Sequence, residues 1–189
     1  PDTIGPYDPE TVDSAELGLR TKFFDNKALF NVTVFQTDYK NKQEDQITSN
    51  PVAPATTITF VRNAGEARFR GVEVEAQLKP TENIHFFASG GYLSGKYLKF
   101  LDAAGNDIRA NRILRYAPKW NASLGSEFTI PVGDDDNRVV LGANVKYLAD
   151  YATESTRDTV GPIFLGRRRE IIPAHTSVDA SISYFGNIG

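Results

Sequence analysis

Val72-Glu73-Val74-Glu75-Ala76-Gln77-Leu78-Lys79 alternates apolar and polar residues without a break. A period of two places Val72, Val74, Ala76 and Leu78 on one face of an extended chain and the charged or amide side chains on the other, so the segment reads as a β-strand with one oily side. Pro80-Thr81-Glu82-Asn83 follows as a tight turn of residues that favour turn geometry. A returning strand is expected from Ile84 to about Leu98.

The same alternation recurs on either side. Between Val12 and Phe23, Ala15, Leu17, Leu19 and Phe23 alternate with Ser14, Glu16, Gly18, Arg20 and Lys22, and 24–27 (Phe-Asp-Asn-Lys) makes a compact turn. A second strand from Ala28 to about Lys40 carries Phe30, Val32 and Val34 on one parity and Asn31, Thr33 and Thr37 on the other, with Phe35 and Tyr39 blurring the pattern. Trp120, Ala122, Leu124, Phe128 and Ile130 are set against Lys119, Asn121, Ser123, Glu127 and Thr129. Val139, Leu141, Ala143, Val145 and Tyr147 oppose Gly142, Asn144 and Lys146. Val178, Ala180, Ile182 and Tyr184 alternate with His175, Ser177, Asp179 and Ser181.

Seven strands are thus expected, joined by connections that run short, long, short, long, short, long. The long ones are about 41–65, 99–118 and 149–173; within the first, Thr57 to Arg62 has β-rich composition and extends the flanking ladder if it pairs. In a meander, alternate connections fall at opposite ends of the sheet, so all short turns share one end and all long loops the other. Outer-membrane barrels have that asymmetry. Soluble sandwiches and lipocalin-like barrels share the alternation but have no general reason to segregate loop lengths or to make strands this long. The oily face meets lipid in the first case and a core in the others, and the pattern leaves that choice open. Phe23, Phe24, Phe30, Phe128 and Tyr184 near short-turn or strand ends, with Tyr39, Tyr97, Tyr147 and Tyr151 near the long-loop ends, suit two aromatic girdles. Closed bacterial barrels usually have an even strand count, so seven strands point to an incomplete wall.

Composition sets outer limits. The chain has 189 residues, 40% hydrophobic and 24% charged, with a formal net charge of −3, which argues against a dedicated nucleic-acid binder. No apolar run is long enough for a helical membrane span, which says nothing of strands. Cysteine is absent, which removes disulfide and thiolate chemistry. The chain opens on Pro1-Asp2 with no visible signal peptide, and we expect its natural beginning to lie outside this sequence.

Several motifs are more specific than periodicity. Residues 7–20 (Tyr-Asp-Pro-Glu-Thr-Val-Asp-Ser-Ala-Glu-Leu-Gly-Leu-Arg), 35–43 around Phe35-Gln36-Thr37-Asp38-Tyr39, and 63–75 with Asn63-Ala64-Gly65 and Gly71-Val72-Glu73-Val74-Glu75 occur in order, followed by Gly90-Gly91-Tyr92 and Arg115-Tyr116-Ala117-Pro118-Lys119-Trp120. Together they resemble the late barrel of TonB-dependent outer-membrane receptors over nearly the whole chain. The resemblance implies an all-β antiparallel meander, a seven-strand segment of a 22-stranded transmembrane β-barrel, in the outer membrane of a Gram-negative bacterium. It further implies that residues 1–189 are a partial barrel, with the N-terminal plug, TonB box and terminal strands elsewhere. Uptake of a scarce external ligand, such as a ferric siderophore, haem, cobalamin or a glycan, would then be driven by the TonB complex through that plug. A passive porin and an adhesive barrel are the alternatives.

On this reading Glu73, Glu75, Lys119, Glu127, Lys146 and Asp179 form part of a lumenal wall, and Glu16 and Arg20 share it. Tyr97, Arg109, Arg112, Arg115, Tyr151, Phe164, Arg167, Arg168 and Arg169 are the ligand-facing loop candidates, because aromatic platforms and cations suit both sugars and metal chelates. Arg167-Arg168-Arg169 also suits phosphates of outer-membrane glycolipid, or plain solvation. No catalytic, cofactor or metal site is expected: His85 and His175 stand alone, Asp134-Asp135-Asp136 lacks calcium-loop spacing, and no nucleophile-elbow sequence surrounds Ser89, Ser94 or Ser123. Glu73 and Glu75, about 7 Å apart on one face, read more plainly as wall charges than as an acid/base pair.

Overall fold

In the computed structural model the described residues are 7–49, 52–53, 55–102, 104–133, 137–153, 155 and 171–186. Long strands dominate them: β1 (Thr11–Phe23), β2 (Ala28–Ser49), β3 (Thr57–Thr81), β4 (Ile84–Phe100), β5 (Trp120–Pro131), β6 (Arg138–Leu148), and β9 (His175–Phe185), with the two-residue β7 (Tyr151–Ala152) and β8 (Ile171–Ile172) between the last two. One antiparallel sheet takes the order β1-β2-β3-β4-β5-β6-β9, so each long strand lies beside its sequence neighbour.

Register follows the alternation. Leu17, Val34 and Val72 are aligned across three strands, as are Ala122, Tyr147 and Thr176 further along, and the opposite face aligns Gly18, Thr33 and Glu73. Strand β5 carries its apolar side from Trp120 to Ile130, ten steps and about 33 Å of chain. At a barrel-like tilt near 40° this spans about 25 Å, the height of a bilayer's apolar band. Tyr92 and Trp120 meet at one edge of the band, 4.5 Å between ring centroids, and Phe86 and Phe128 at the other, 5.9 Å apart.

The apolar face decides what the sheet packs on. Leu17 is 79% exposed, Val178 70% and Ile182 75%, and among the described residues no second layer covers them. A soluble sandwich would bury this face, whereas a membrane wall presents it to lipid. The buried apolar residues lie instead at the long-loop end: Ala67, Tyr97, Phe100 and Leu114 form a small core against which Tyr39, Phe69, Ile108 and Ala117 pack.

Two expectations are corrected. The segment 41–65 is mostly ladder, since β2 and β3 pair as far as Ser49 opposite Thr57 and leave a connection of only 50–56. Alternation is hidden there because a register shift between Tyr39 and Lys42, with Asn41 in the left-handed region at φ 54°, swaps the parity of the strand. Tyr39 and Tyr97 do not belong to an aromatic girdle. Both are aligned with Ala67 on the polar face, beyond the apolar band, and their rings pack edge-on against Phe69 and Phe100 at 5.8 and 5.0 Å.

The turn at 24–27 follows its chemistry. Phe24, Asp25 and Asn26 all take positive φ, and the Lys27 amide donates to the Phe24 carbonyl at 3.0 Å. Asn83 closes the next turn, its amide donating to Thr81 Oγ1 at 3.3 Å.

Candidate functional site

The connection 101–118 is a folded loop rather than a free excursion. Asp102 organises its tip: its Oδ1 accepts from the amides of Ala104 and Asn106, both at 2.9 Å, and Gly105 takes φ 88° to close the turn. The Asn106 amide, with help from its side chain, holds the Asp102 carboxyl below the usual carboxylate range. Asp107 does the same one turn on, accepting from the amides of Phe100 and Arg109 at 3.1 Å, and its carboxyl is likewise held low. A short 3-10 turn, Arg109–Asn111, then carries the chain inward, placing Leu114 in the small core over the polar face.

Glu44 pins this loop to the wall. Only 2% exposed, it accepts from Tyr97 Oη at 2.6 Å and Lys42 Nζ at 2.7 Å, and Arg115 Nη2 lies 3.8 Å from its other oxygen. Burial, with Glu44 beside it, pushes the Tyr97 hydroxyl's pKa up and keeps it a donor. The Arg112 guanidinium sits 4.5 Å above the Phe100 ring. Arg109 bonds the Leu98 carbonyl and approaches Asp107 at 3.6 Å. The next long connection is tied to this one: the Ile113 amide donates to the Ser155 carbonyl at 2.8 Å, the Tyr116 amide to Ala152 at 2.9 Å, and the Tyr116 and Tyr151 rings lie 6.3 Å apart.

Of the loop candidates, Tyr97, Arg112 and Arg115 are therefore gathered around Glu44, with Arg109 on the adjacent turn and Tyr151 on the neighbouring loop. Tyr97, a ligand-facing candidate, lies under the loop. It is 8% exposed and supports the loop from beneath. Phe164, Arg167, Arg168, Arg169 and Asp134-Asp135-Asp136 lie outside the described residues. Glu44 escaped sequence reasoning because its partner Tyr97 is 53 residues away and the parity swap upstream of it breaks the local pattern.

The wall candidates share one face. Asn31 Nδ2 donates to Glu75 Oε2 at 3.0 Å, Lys146 approaches Asp179 at 3.7 Å, and His85 Nδ1 lies 3.6 Å from Glu127. Glu73 stands between Thr33 and Gly91 in register, and Lys119 precedes β5 with its carbonyl accepting from the Leu93 amide. These polar groups line the side away from the exposed apolar face.

A strand wall with one oily face, one polar face and folded loops at one end has the pattern of an outer-membrane barrel section. The family profile described as TonB dependent receptor-like, beta-barrel, matches residues 2–187, and the chain belongs to this family of Gram-negative outer-membrane receptors. It is 24% identical over 178 residues to the metal-pseudopaline receptor CntO of Pseudomonas aeruginosa, covering 94% of this chain and 22% of that receptor. Its fold matches the ferric yersiniabactin uptake receptor FyuA from Yersinia pestis, with TM-score 0.63 and 15% identity over 92% of this chain and 22% of the other. It also matches BauA, the ferric preacinetobactin receptor from Acinetobacter baumannii, with TM-score 0.62 and 19% identity over the same shares. The chain thus spans about a fifth of the length of these relatives. Seven strands form an all-β meander corresponding to part of such a barrel.

Proposed function

We propose that the receptor to which this wall belongs imports a small metal chelate, a ferric siderophore being the favoured class, by uptake coupled to the TonB complex through a plug domain. The observation that supports the reading is the loop 101–118, which folds over the polar face, is fastened by buried Glu44 and carries Arg109, Arg112 and Arg115 at the long-loop end of the wall. Cations held there suit the carboxylate, phenolate and hydroxamate oxygens of an anionic chelate. Relatives whose names specify metal-pseudopaline, yersiniabactin and preacinetobactin support the same class. Glu73, Glu75, Lys119, Glu127, Lys146 and Asp179 would then wet the inner wall against the plug and along the route of passage.

The test is binding and uptake by the complete receptor with a panel of ferric chelates, haem, cobalamin and oligosaccharides. Saturable binding of a ferric chelate is expected, with radio-iron uptake lost when TonB is deleted. The double variant Arg109→Ala/Arg115→Ala should weaken binding about tenfold, the scale of one charge-assisted contact. Saturable glycan binding with none for ferric chelates would overturn the ligand class. Flux that persists without TonB would make the barrel a passive porin.

A further inference from the structure

Asn63-Ala64-Gly65 lies where β2 and β3 both break their period. The pairs Tyr39 with Ala67, Lys42 with Gly65 and Gln43 with Asn63 leave one extra residue on β2 before Lys42 and one on β3, Ala64. Two bulges on opposite strands follow one another, and each swaps the parity of its own strand. Below them Tyr39 and Ala67 share the polar face with Tyr97. Above them Glu44 and its cross-strand partner Arg62 take that face, where unbroken alternation from Tyr39 and Ala67 would turn both away.

The loop 101–118 is seated on the result. Glu44 accepts from Tyr97 Oη at 2.6 Å, Arg62 donates Nη1 to the Asp102 carbonyl at 3.3 Å, and the Leu101 amide donates to the carbonyl of the extra residue Ala64 at 2.8 Å. The β2 bulge depends in turn on Asn41, which takes φ 54°, a left-handed conformation that asparagine tolerates but does not prefer.

Asn63 spans that bulge from the face opposite Arg62. Its Nδ2 donates to the Asn41 carbonyl at 2.7 Å and to the Asp8 carbonyl at 2.8 Å, and its Oδ1 accepts from the Asp8 amide at 2.6 Å. Both amide hydrogens and the oxygen are thus used, a set that a carboxylate or a hydroxyl at this position does not supply. Gln43 reinforces the same contact, its Nε2 donating to the Asp8 carbonyl at 3.2 Å and its amide to Glu10 Oε1 at 2.6 Å. The segment 8–10, ahead of β1, is thereby held against the bulge.

We propose that Asn63 is a positioning residue for the loop 101–118: by holding the Asn41 carbonyl it keeps Asn41 left-handed, which keeps Glu44 turned onto the polar face and the loop seated on the wall. Asn63 touches none of the loop arginines and acts on them through Asn41 and Glu44. The inference rests on the ladder and the Glu44 latch, not on the identity of any imported ligand.

The complete receptor, purified in mild detergent, is digested with trypsin at low concentration, where cleavage at Arg109, Arg112 and Arg115 follows the population of the open loop. Asn63→Ala should speed cleavage about tenfold, the effect of one or two net hydrogen bonds lost from the closed state. Glu44→Ala/Asn63→Ala should cleave no faster than Glu44→Ala, because the two residues act in series. Asn41→Gly/Asn63→Ala should return to within about twofold of wild type, since glycine takes the left-handed conformation without the clamp. A residue that merely stiffened the wall would show additive effects and no rescue by Asn41→Gly. Heat-modifiable gel migration checks folding, and Asn63→Gln, which displaces the amide by one methylene and should speed cleavage about threefold, takes the place of Asn63→Ala if that variant does not fold. Cleavage at the wild-type rate overturns the proposal, as does additivity with Glu44→Ala or failure of Asn41→Gly to restore resistance.

Discussion

Glu44 is a carboxylate held at 2% exposure by a tyrosine hydroxyl, a lysine and a more distant arginine. Removing one member of a buried charged cluster leaves the others without partners and typically costs about 3–5 kcal/mol. Glu44→Ala should therefore release 101–118 from the wall without dissolving the sheet, which draws most of its stability from the ladder. Limited trypsin digestion of the complete receptor should then cut at Arg109, Arg112 or Arg115 much faster than in wild type, while Glu44→Gln, which keeps an acceptor for Tyr97, should lie between. Unchanged cleavage in Glu44→Ala would show that the latch is not what holds the loop.

Asp102 and Asp107 give the same loop a pH limit. Their folded carboxyls titrate below the ordinary value of 3.8, so the stability they add is full above that value and is lost as pH falls through their lowered folded values. Amide exchange at Ala104 and Asn106, corrected for intrinsic rate, should stay slow at pH 5 and accelerate only below about pH 3.8. Asp102→Asn should abolish most of that dependence at the tip. The individual residues of this loop were visible in the sequence as a polar, arginine-bearing connection. Their bonding was not, because Asp102 and Asp107 serve backbone amides whose positions exist only after the loop closes.

At the scale of the strand, the polar face uses glycine to receive aromatic rings from the neighbouring strand. Phe35 lies opposite Gly71, Phe69 opposite Gly95 and Phe87 opposite Gly125. A Cβ at Gly71 would come within 2.5 Å of the Phe35 ring and 2.7 Å of the Tyr92 carbonyl oxygen, whereas one at Gly90 on the other face meets nothing closer than 3.5 Å. Gly71→Ala should accordingly lower the unfolding free energy of the refolded receptor by about 1–3 kcal/mol, as overpacking does, and Gly90→Ala should be close to neutral. Urea titration followed by tryptophan fluorescence distinguishes them. The existence of the strands was legible because each repeats a period of two over many residues. The extension of β2 and β3 was not, since the shift at Asn41 breaks the period and only cross-strand pairing restores the register.

Over the whole wall, sidedness follows from residue parity. Cysteine is absent from this chain, so a single substitution adds one thiol to it, and labelling is read against the unsubstituted receptor. In cells carrying the complete receptor, Val145→Cys should resist a water-soluble maleimide while adjacent Lys146→Cys labels, and Gly105→Cys should label from outside while Asn26→Cys labels only after the envelope is opened. Equal labelling of Val145→Cys and Lys146→Cys would remove the lipid-facing assignment. Among the described residues, strands β1 and β9 each have a neighbour on one side only, so the 189-residue chain expressed alone should aggregate through its open edges and give no heat-modifiable barrel.

The alternation in the sequence determined that this protein would be a meander of long strands with one oily face, because a strand's period is a property of the local chain. Ordered motifs along it carried the resemblance to the receptor family. The direction the oily face would look, the packing of 101–118 onto the inner wall, and the burial of Glu44 and Tyr97 were decided only in the tertiary structure. Those features depend on contacts between residues tens of positions apart, and no local period encodes them.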